Sequence, residues 1–191
     1  MKTARLDAFS DGVIAVIITI MVLDLRPPRE ATLAGLAPIV PDFLVYALSF
    51  LMVAIMWINH HQFFSHARTA TAGLIWSNAF LLFWMSLIPF LTAYLGDHPL
   101  APLPISVYAA DMVFCSIGFL LIQSAIACQV REDEGLKCIF DRIRLKAAIA
   151  LVFYIAAGLL AWWSPYPALA IFVLIPVAYF WPDPKVRPAS E

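Results

Sequence analysis

Six long apolar segments constrain what this sequence can fold into more than any other feature. They cover residues 6–25, 42–64, 72–95, 103–129, 143–163 and 166–182, and glycine, proline or charged residues separate them. A helix needs about 20 mostly apolar residues to cross a hydrocarbon core that is roughly 30 Å thick. We therefore predict an all-α, polytopic membrane protein in which residues 1–191 form a single domain of six transmembrane helices.

The composition favours the lipid bilayer as the surrounding medium. Hydrophobic residues make up 63% of the chain and charged residues make up 13%. A soluble domain averages about 45–50% apolar and about 25% charged residues, so one soluble core would not hold this excess. The formal net charge of −1 leaves no basic face that would neutralise phosphates, which argues against nucleic acid as a partner.

The distribution of lysine and arginine predicts the orientation in the membrane. If both termini are cytoplasmic, that side carries ten of the twelve basic residues, and the other side carries only Arg26 and Arg29. Cytoplasmic loops of membrane proteins are enriched in these two residue types. We expect a multi-pass membrane protein with its N- and C-termini in the cytoplasm.

Catalytic motifs are absent from the sequence. It contains no G-x-S-x-G, H-E-x-x-H, phosphate-binding or dinucleotide-binding pattern, so we expect neither an enzyme nor an organic cofactor. His60, His61 and His66 lie close together, but His60 and His61 point about 100° apart on a helix. No acidic or thiolate partner is near them in sequence, which favours hydrogen bonds to neighbouring helices over a fixed metal site.

The first segment carries a hydroxyl group deep in its apolar run. Gly12, Val16, Thr19 and Leu23 are spaced by four, three and four residues, so they share one face of a helix. This face is either a packing stripe, with the Thr19 hydroxyl bonded to the carbonyl of Ala15, or a functional surface. From the spacing alone we favour packing.

Several polar residues of the first three segments lie at the same depth, near the cytoplasmic side. We predict that they form one buried polar layer, and its members are Arg5, Ser10, Asp11, Asn59, His60, His61 and Asn78. Arg5 and Asp11 are six residues apart and do not pair well along one helix. Each is therefore expected to find its partner on another helix or another subunit.

Asp111 is an acidic residue within the fourth segment, roughly 12 Å from its outer end at helical rise. Two interpretations remain open. The carboxyl group is a site for a proton or cation, or it is neutral or hydrogen-bonded to a nearby serine or tyrosine.

Motifs in the first three segments resemble those of the transmembrane protein 175 family of potassium channels. The opening of the first segment, Arg5-x-x-x-Phe9-Ser10-Asp11-Gly12, is similar to the family signature. "WINHH" in the second segment and "WSNAF…IPF" in the third are similar to further family patterns.

The resemblance implies a prokaryotic cation channel of four six-helix subunits in the cell membrane. It assigns the pore to the first helix of each subunit, with Val16 at an apolar constriction, Thr19 as a hydroxyl ring and Leu23 continuing the lining. The partners it implies are three further copies of the chain, monovalent cations and lipid, with permeant potassium in place of a cofactor. Phe9, Ser10 and Asp11 would then hold the pore helix in place.

Three functional hypotheses follow from the sequence. The first is a homotetrameric potassium-permeable channel. The second is a secondary transporter in which Asp111 is a candidate for proton coupling, although the two halves of the chain share no recognisable repeat. The third is a membrane scaffold that conducts nothing.

Overall fold

The structure, a computed structural model, describes residues 3–28, 30–129 and 134–180, and over these residues it is helical with short connections. The helices are α1 (Thr3–Leu23), α2 (Leu33–Leu36), a 3-10 turn (Ala37–Ile39), α3 (Val40–Phe64), α4 (Ala72–Met85), α5 (Ile88–Asp97), α6 (Pro102–Ala127), α7 (Glu134–Leu160) and α8 (Pro165–Phe180). The prediction of an all-α membrane protein is confirmed.

Five helical stretches within the described residues are long and apolar enough to cross a membrane, judged by length and composition. They are α1, the run from α2 through α3, the run from α4 through α5, α6, and the part of α7 from Phe140 onward. α8 is apolar but shorter. The predicted end of the sixth segment, at residues 181–182, lies outside the described residues.

The connection between the first two segments is more helical than the sequence predicts. We expected a loop up to residue 41, but α2 and the 3-10 turn lead directly into α3. Thr32 caps α2, because its hydroxyl accepts a hydrogen bond from the backbone nitrogen of Gly35 at 3.0 Å. The prolines at 38 and 41 sit in first turns, where a missing N–H costs little.

The third predicted segment is two helices with a break at Ser86–Leu87. Pro89 explains the break, because its ring has no N–H to bond the carbonyl of Met85 and clashes with that carbonyl. Leu87 instead bonds back three residues, from its nitrogen to the carbonyl of Trp84 at 3.0 Å. Pro89 therefore kinks the third segment, and the break begins three residues before the proline.

The helices form two groups around a shared core. α1 packs against α3, α4 and α5, whereas α7 packs against α6 and α8, and α8 also contacts α3. The α7–α8 pair therefore lies on the side of the subunit away from α1. α4 and α6 approach closely at Gly118, where a Cβ atom would lie 2.9 Å from the Cβ of Leu81.

Candidate functional site

One face of α1 is buried against α3, α4 and α5. Its buried residues are spaced by four, four, three and four positions, and they are Leu6, Ser10, Ile14, Ile17 and Met21. This spacing places all five side chains on one face of the helix, and four of the five are apolar. The stripe fixes which way the rest of α1 points.

The opposite face of α1 is uncovered in the chain, and it carries the predicted pore stripe. Val16 is 54% exposed and Leu23 is 78% exposed, while Gly12 and Thr19 are also exposed. A Cβ atom at Gly12 would meet nothing within 4 Å, so Gly12 is not at a close helix contact within the subunit. The interpretation of this face as a packing stripe inside the subunit is wrong.

The hydroxyl of Thr19 donates to the carbonyl of Val16 at 2.9 Å, not to that of Ala15 as expected. This bond uses the only hydrogen of the hydroxyl and fixes its direction. The oxygen keeps its lone pairs as acceptors toward the uncovered face. The stripe therefore presents an oxygen acceptor between two apolar side chains.

Ser10, His60 and Asn78 form a buried hydrogen-bonded chain that joins α1, α3 and α4. The ring Nε2 of His60 lies 2.8 Å from Oδ1 of Asn78, and Nδ2 of Asn78 donates to Oγ of Ser10 at 2.9 Å. The Ser10 hydroxyl in turn donates to the carbonyl of Leu6 at 2.9 Å. Because Oδ1 only accepts, His60 carries its proton on Nε2 in this arrangement. We call Ser10, His60 and Asn78 the polar network.

Asp7 lies beside this network, although it is not a member of the predicted polar layer. Its carboxylate oxygens lie 3.8 Å from Nδ1 of His60 and 3.7 Å from Nδ1 of His61. The position of Asp7, three residues before Ser10 on the same side of α1, was the signal that would have identified it.

Asp11 finds its partner on α3, as expected for a residue that cannot pair within α1. Nε1 of Trp57 donates to its Oδ1 at 2.8 Å. This bond lies at the edge of the uncovered face and holds α1 to α3 beside the polar network.

Within the subunit, the single buried layer predicted from the sequence is incomplete. Arg5 is exposed, and it has no hydrogen bond or ion pair to any residue that the structure describes. Phe9 is exposed at 61%, and the His61 side chain at 60%. His61 follows His60 by one residue and is turned about 100° away from the core.

Asn59 also lies outside the polar network. It lines a separate, partly open cavity between α3, α6, α7 and α8, together with Ser116 and Gln123. Asn59 precedes His60 by one residue, so the rotation that brings His60 to α1 and α4 directs Asn59 toward α6 instead.

Asp111 is buried in α6, with 2% of its surface exposed. Neither carboxylate oxygen has a hydrogen-bond partner among the described residues. The nearby Tyr108 is bonded to Ser49, with their hydroxyl oxygens 3.0 Å apart. Of the alternatives for Asp111, a bond to a serine or tyrosine is therefore not made among the described residues, whereas the proton-site and neutral alternatives stay open.

Comparison with known proteins places this arrangement in a family. A family model described as the endosomal/lysosomal potassium channel TMEM175 matches residues 5–89. A potassium channel of Chryseobacterium sp. is 35% identical over 187 residues, which cover 98% of this chain and 97% of the relative. The chain belongs to the TMEM175 family.

The structural comparison agrees with this assignment. The crystal structure of a lysosomal potassium-selective channel TMEM175 homolog from Chamaesiphon minutus matches with a TM-score of 0.81 and 27% identity. The match covers 93% of this chain and 96% of that one. The human endosomal/lysosomal proton channel TMEM175 is 32% identical over 132 residues, or 63% of this chain and 26% of the human protein.

The region that matches the TMEM175 model includes both features of α1 described above. Residues 5–89 contain the uncovered stripe, all of the polar network and the Asp11–Trp57 bond. Asp111 and the helices α6 to α8 lie outside it.

Proposed function

We propose that the chain is a potassium-permeable cation channel in which four copies surround a pore lined by α1. The observation that carries this proposal is the uncovered stripe of Gly12, Val16, Thr19 and Leu23 opposite the buried face of α1. A helix that lines a shared axis has this pattern, because its pore face is covered only by other copies and by ions. The bacterial relatives named as potassium channels support potassium as the permeant ion.

The side chains of the stripe supply the chemistry of conduction. Four copies of Val16 form an apolar ring, and such rings gate by expelling water. Four copies of Thr19 provide hydroxyl oxygens that replace part of the hydration shell of a cation. Leu23 continues the apolar lining toward the outer end. Potassium acts as the permeant ion, and the conduction needs no cofactor.

The polar network and the Asp11–Trp57 bond set the rotation of α1 about its own axis. Buried hydrogen bonds between helices specify one arrangement, because any rotation leaves polar groups unpaired. A rotation of α1 by one residue, or about 100°, would remove Thr19 from the pore axis. The charged and polar residues at the start of α1 therefore position the helix, and Thr19 contacts the ions.

Single cysteines test this proposal in a background without the three native cysteines. Cysteine at position 16, 19 or 23 should react with small, charged, water-soluble thiol reagents, and the reaction should block current in planar bilayers. Two controls are Ile14→Cys on the buried face of α1 and Leu159→Cys on an exposed apolar face of α7. Both should stay unreactive, because a thiol against lipid or protein meets no water. Unreactive cysteines along the stripe would place the pore elsewhere.

Thr19→Val tests the hydroxyl ring, since valine keeps the shape and removes the oxygen. We expect assembly to be preserved and the potassium-over-sodium permeability ratio, measured from reversal potentials, to fall. An unchanged ratio would contradict a role for the Thr19 oxygen in ion selection.

The buried carboxyl group of Asp111 supports a second candidate, a secondary transporter that is coupled to protons. An intramembrane acidic group without a hydrogen-bond partner is a typical proton site, and five animal relatives are named proton channels. Asp111→Asn separates the two candidates. A channel keeps its unitary potassium current in this variant, whereas a transporter shows no unitary current and loses proton-driven cation uptake into liposomes.

A further inference from the structure

A narrow groove runs along the subunit surface between α7 and α8. It has a volume of ≈ 290 Å³. Its walls are almost entirely apolar and include Ile149 and Phe153 of α7 and Ile171 and Ala178 of α8. Among the lining residues that the structure describes, Lys146 and Tyr179 are the polar ones.

The polar residues lie together at one end of the groove. α7 and α8 run in opposite directions, so Lys146 near the start of α7 meets Tyr179 near the end of α8. The charge distribution predicts that this end is cytoplasmic. From Lys146 to Phe153 the groove extends roughly 10 Å along the helix, most of the roughly 15 Å of hydrocarbon in one leaflet.

Positive charge continues beyond the polar end of the groove. Arg142 lies one turn before Lys146 on the same face of α7, and both side chains are exposed. Ile149 and Phe153 follow Lys146 on that face, at three and seven residues. The face thus changes from cationic to apolar at the depth where a lipid changes from headgroup to acyl chain.

The length of the groove and its change from cationic to apolar suit one acyl chain with its headgroup. The groove also lies away from α1, so the proposed pore axis does not cover it.

We propose that the α7–α8 groove is a binding site for one anionic phospholipid of the cytoplasmic leaflet. One acyl chain occupies the apolar part between Ile149, Phe153 and Ile171. The phosphate lies against Lys146 and Arg142, and the Tyr179 hydroxyl lies at the headgroup level, where tyrosines are enriched. This site is separate from the proposed conduction pathway.

Native mass spectrometry of the purified protein in mild detergent tests the proposal. The probes are phosphatidylglycerol and phosphatidylcholine with identical acyl chains. Lys146→Gln removes the charge at the groove, and Arg144→Gln is its matched control, because Arg144 is exposed two residues away and on the other side of α7. Ala178→Trp fills the groove, and Leu159→Trp places the same side chain on a distant lipid-facing surface.

We expect one phosphatidylglycerol per subunit to be retained in preference to phosphatidylcholine. Lys146→Gln should weaken its binding about fivefold, since one basic residue near the surface contributes about 1 kcal/mol. Ala178→Trp should abolish binding, and both controls should bind as the unmodified protein does. Gel filtration and thermal midpoints check that each variant is folded.

Three results would overturn the proposal. Equal weakening by Lys146→Gln and Arg144→Gln would show diffuse attraction to basic charge. Retention of the lipid by folded Ala178→Trp would place it outside the groove. Equal retention of both lipids would show that no anionic headgroup is recognised. The measurement uses no current, so its outcome is independent of whether the protein conducts ions.

Discussion

At the scale of single residues, Asn78 connects three helices, because its side-chain amide joins α4 to both α1 and α3. Asn78→Leu keeps the volume but leaves the ring nitrogen of His60 without an acceptor and the hydroxyl of Ser10 without a donor. A buried polar group left unpaired costs about 1–3 kcal/mol. We expect a clear drop in the thermal midpoint, measured by tryptophan fluorescence in detergent.

The neighbouring Ser77 supplies the control for this variant. Its hydroxyl bonds only to the carbonyl of Gly73 in its own helix and is exposed. Ser77→Ala should leave the thermal midpoint within about a degree of the original, because a local back-bond of this kind adds little to stability. Equal midpoints for Asn78→Leu and Ser77→Ala would mean that the polar network does not stabilise the subunit.

The sequence alone predicted how deep these polar residues lie in the membrane. It did not predict the direction in which each side chain points around its helix. The sequence placed Ser10, His60 and Asn78 at one level, and the structure joins them. It also placed Asn59 and His61 at that level, but in the structure these two side chains point away from the polar network. In α3 the polar residues Asn59, His60, His61 and Gln62 are consecutive and span a full helical turn, so they define no single polar face that would set its rotation. Only the packed partners on α1 and α4 decide that His60 points inward.

At the scale of whole helices, the contact between α4 and α6 depends on Gly118. An added Cβ would lie 2.9 Å from the Cβ and 3.0 Å from the Cα of Leu81, and the latter is backbone that cannot rotate away. Gly118→Ala should separate the two helices and destabilise the subunit by about 1–3 kcal/mol, as overpacking of a core does.

Gly73 provides the matched comparison for Gly118. It lies in the first turn of α4, and nothing in the described structure comes within 4 Å of an added Cβ. Gly73→Ala should therefore leave the thermal midpoint unchanged or raise it, since alanine favours a helix over glycine. A midpoint for Gly118→Ala equal to that of Gly73→Ala would show that α4 and α6 adjust without strain.

Hydropathy located the membrane helices well, but it did not predict how far they extend beyond the apolar segments. α7 begins at Glu134, nine residues before the predicted segment, and the run through α2 extends the second segment outward. A helix that leaves the bilayer carries charged residues, as α7 does at Arg142 and Arg144, and these residues lower the hydropathy without ending the helix. Pro89, by contrast, acts through the backbone, so its kink was predictable from one residue.

At the scale of the whole molecule, the described subunit leaves much of α1 and α5 uncovered on one side. A groove beside α1 is lined by Phe9, Val13 and Ile20 together with Phe90 of α5, and Phe90 is 68% exposed. Apolar surface of this kind suits a contact with another copy of the chain, as well as lipid. In the proposed tetramer a neighbouring subunit covers it with a different surface of its own, because the interfaces of a fourfold ring are heterologous.

Arg5 is the residue whose role depends most directly on that assembly. It is exposed at the start of α1, and it has no partner among the described residues of its own chain. In a tetramer around α1, the neighbouring subunit brings acceptors to it, and a charge-assisted hydrogen bond contributes about 1.5–3 kcal/mol. Arg5→Ala should therefore weaken the tetramer while the subunit keeps its fold.

Light scattering of detergent-solubilised protein over a dilution series measures this effect. The unmodified protein should remain tetrameric, and Arg5→Ala should dissociate at a higher protein concentration with unchanged helical circular dichroism. Arg68→Ala removes an equally exposed arginine from the loop before α4 and should behave as the unmodified protein. If Arg5→Ala and Arg68→Ala dissociate alike, Arg5 makes no contact between subunits. If the unmodified protein has the mass of a single chain, the pore cannot be formed by four copies of α1.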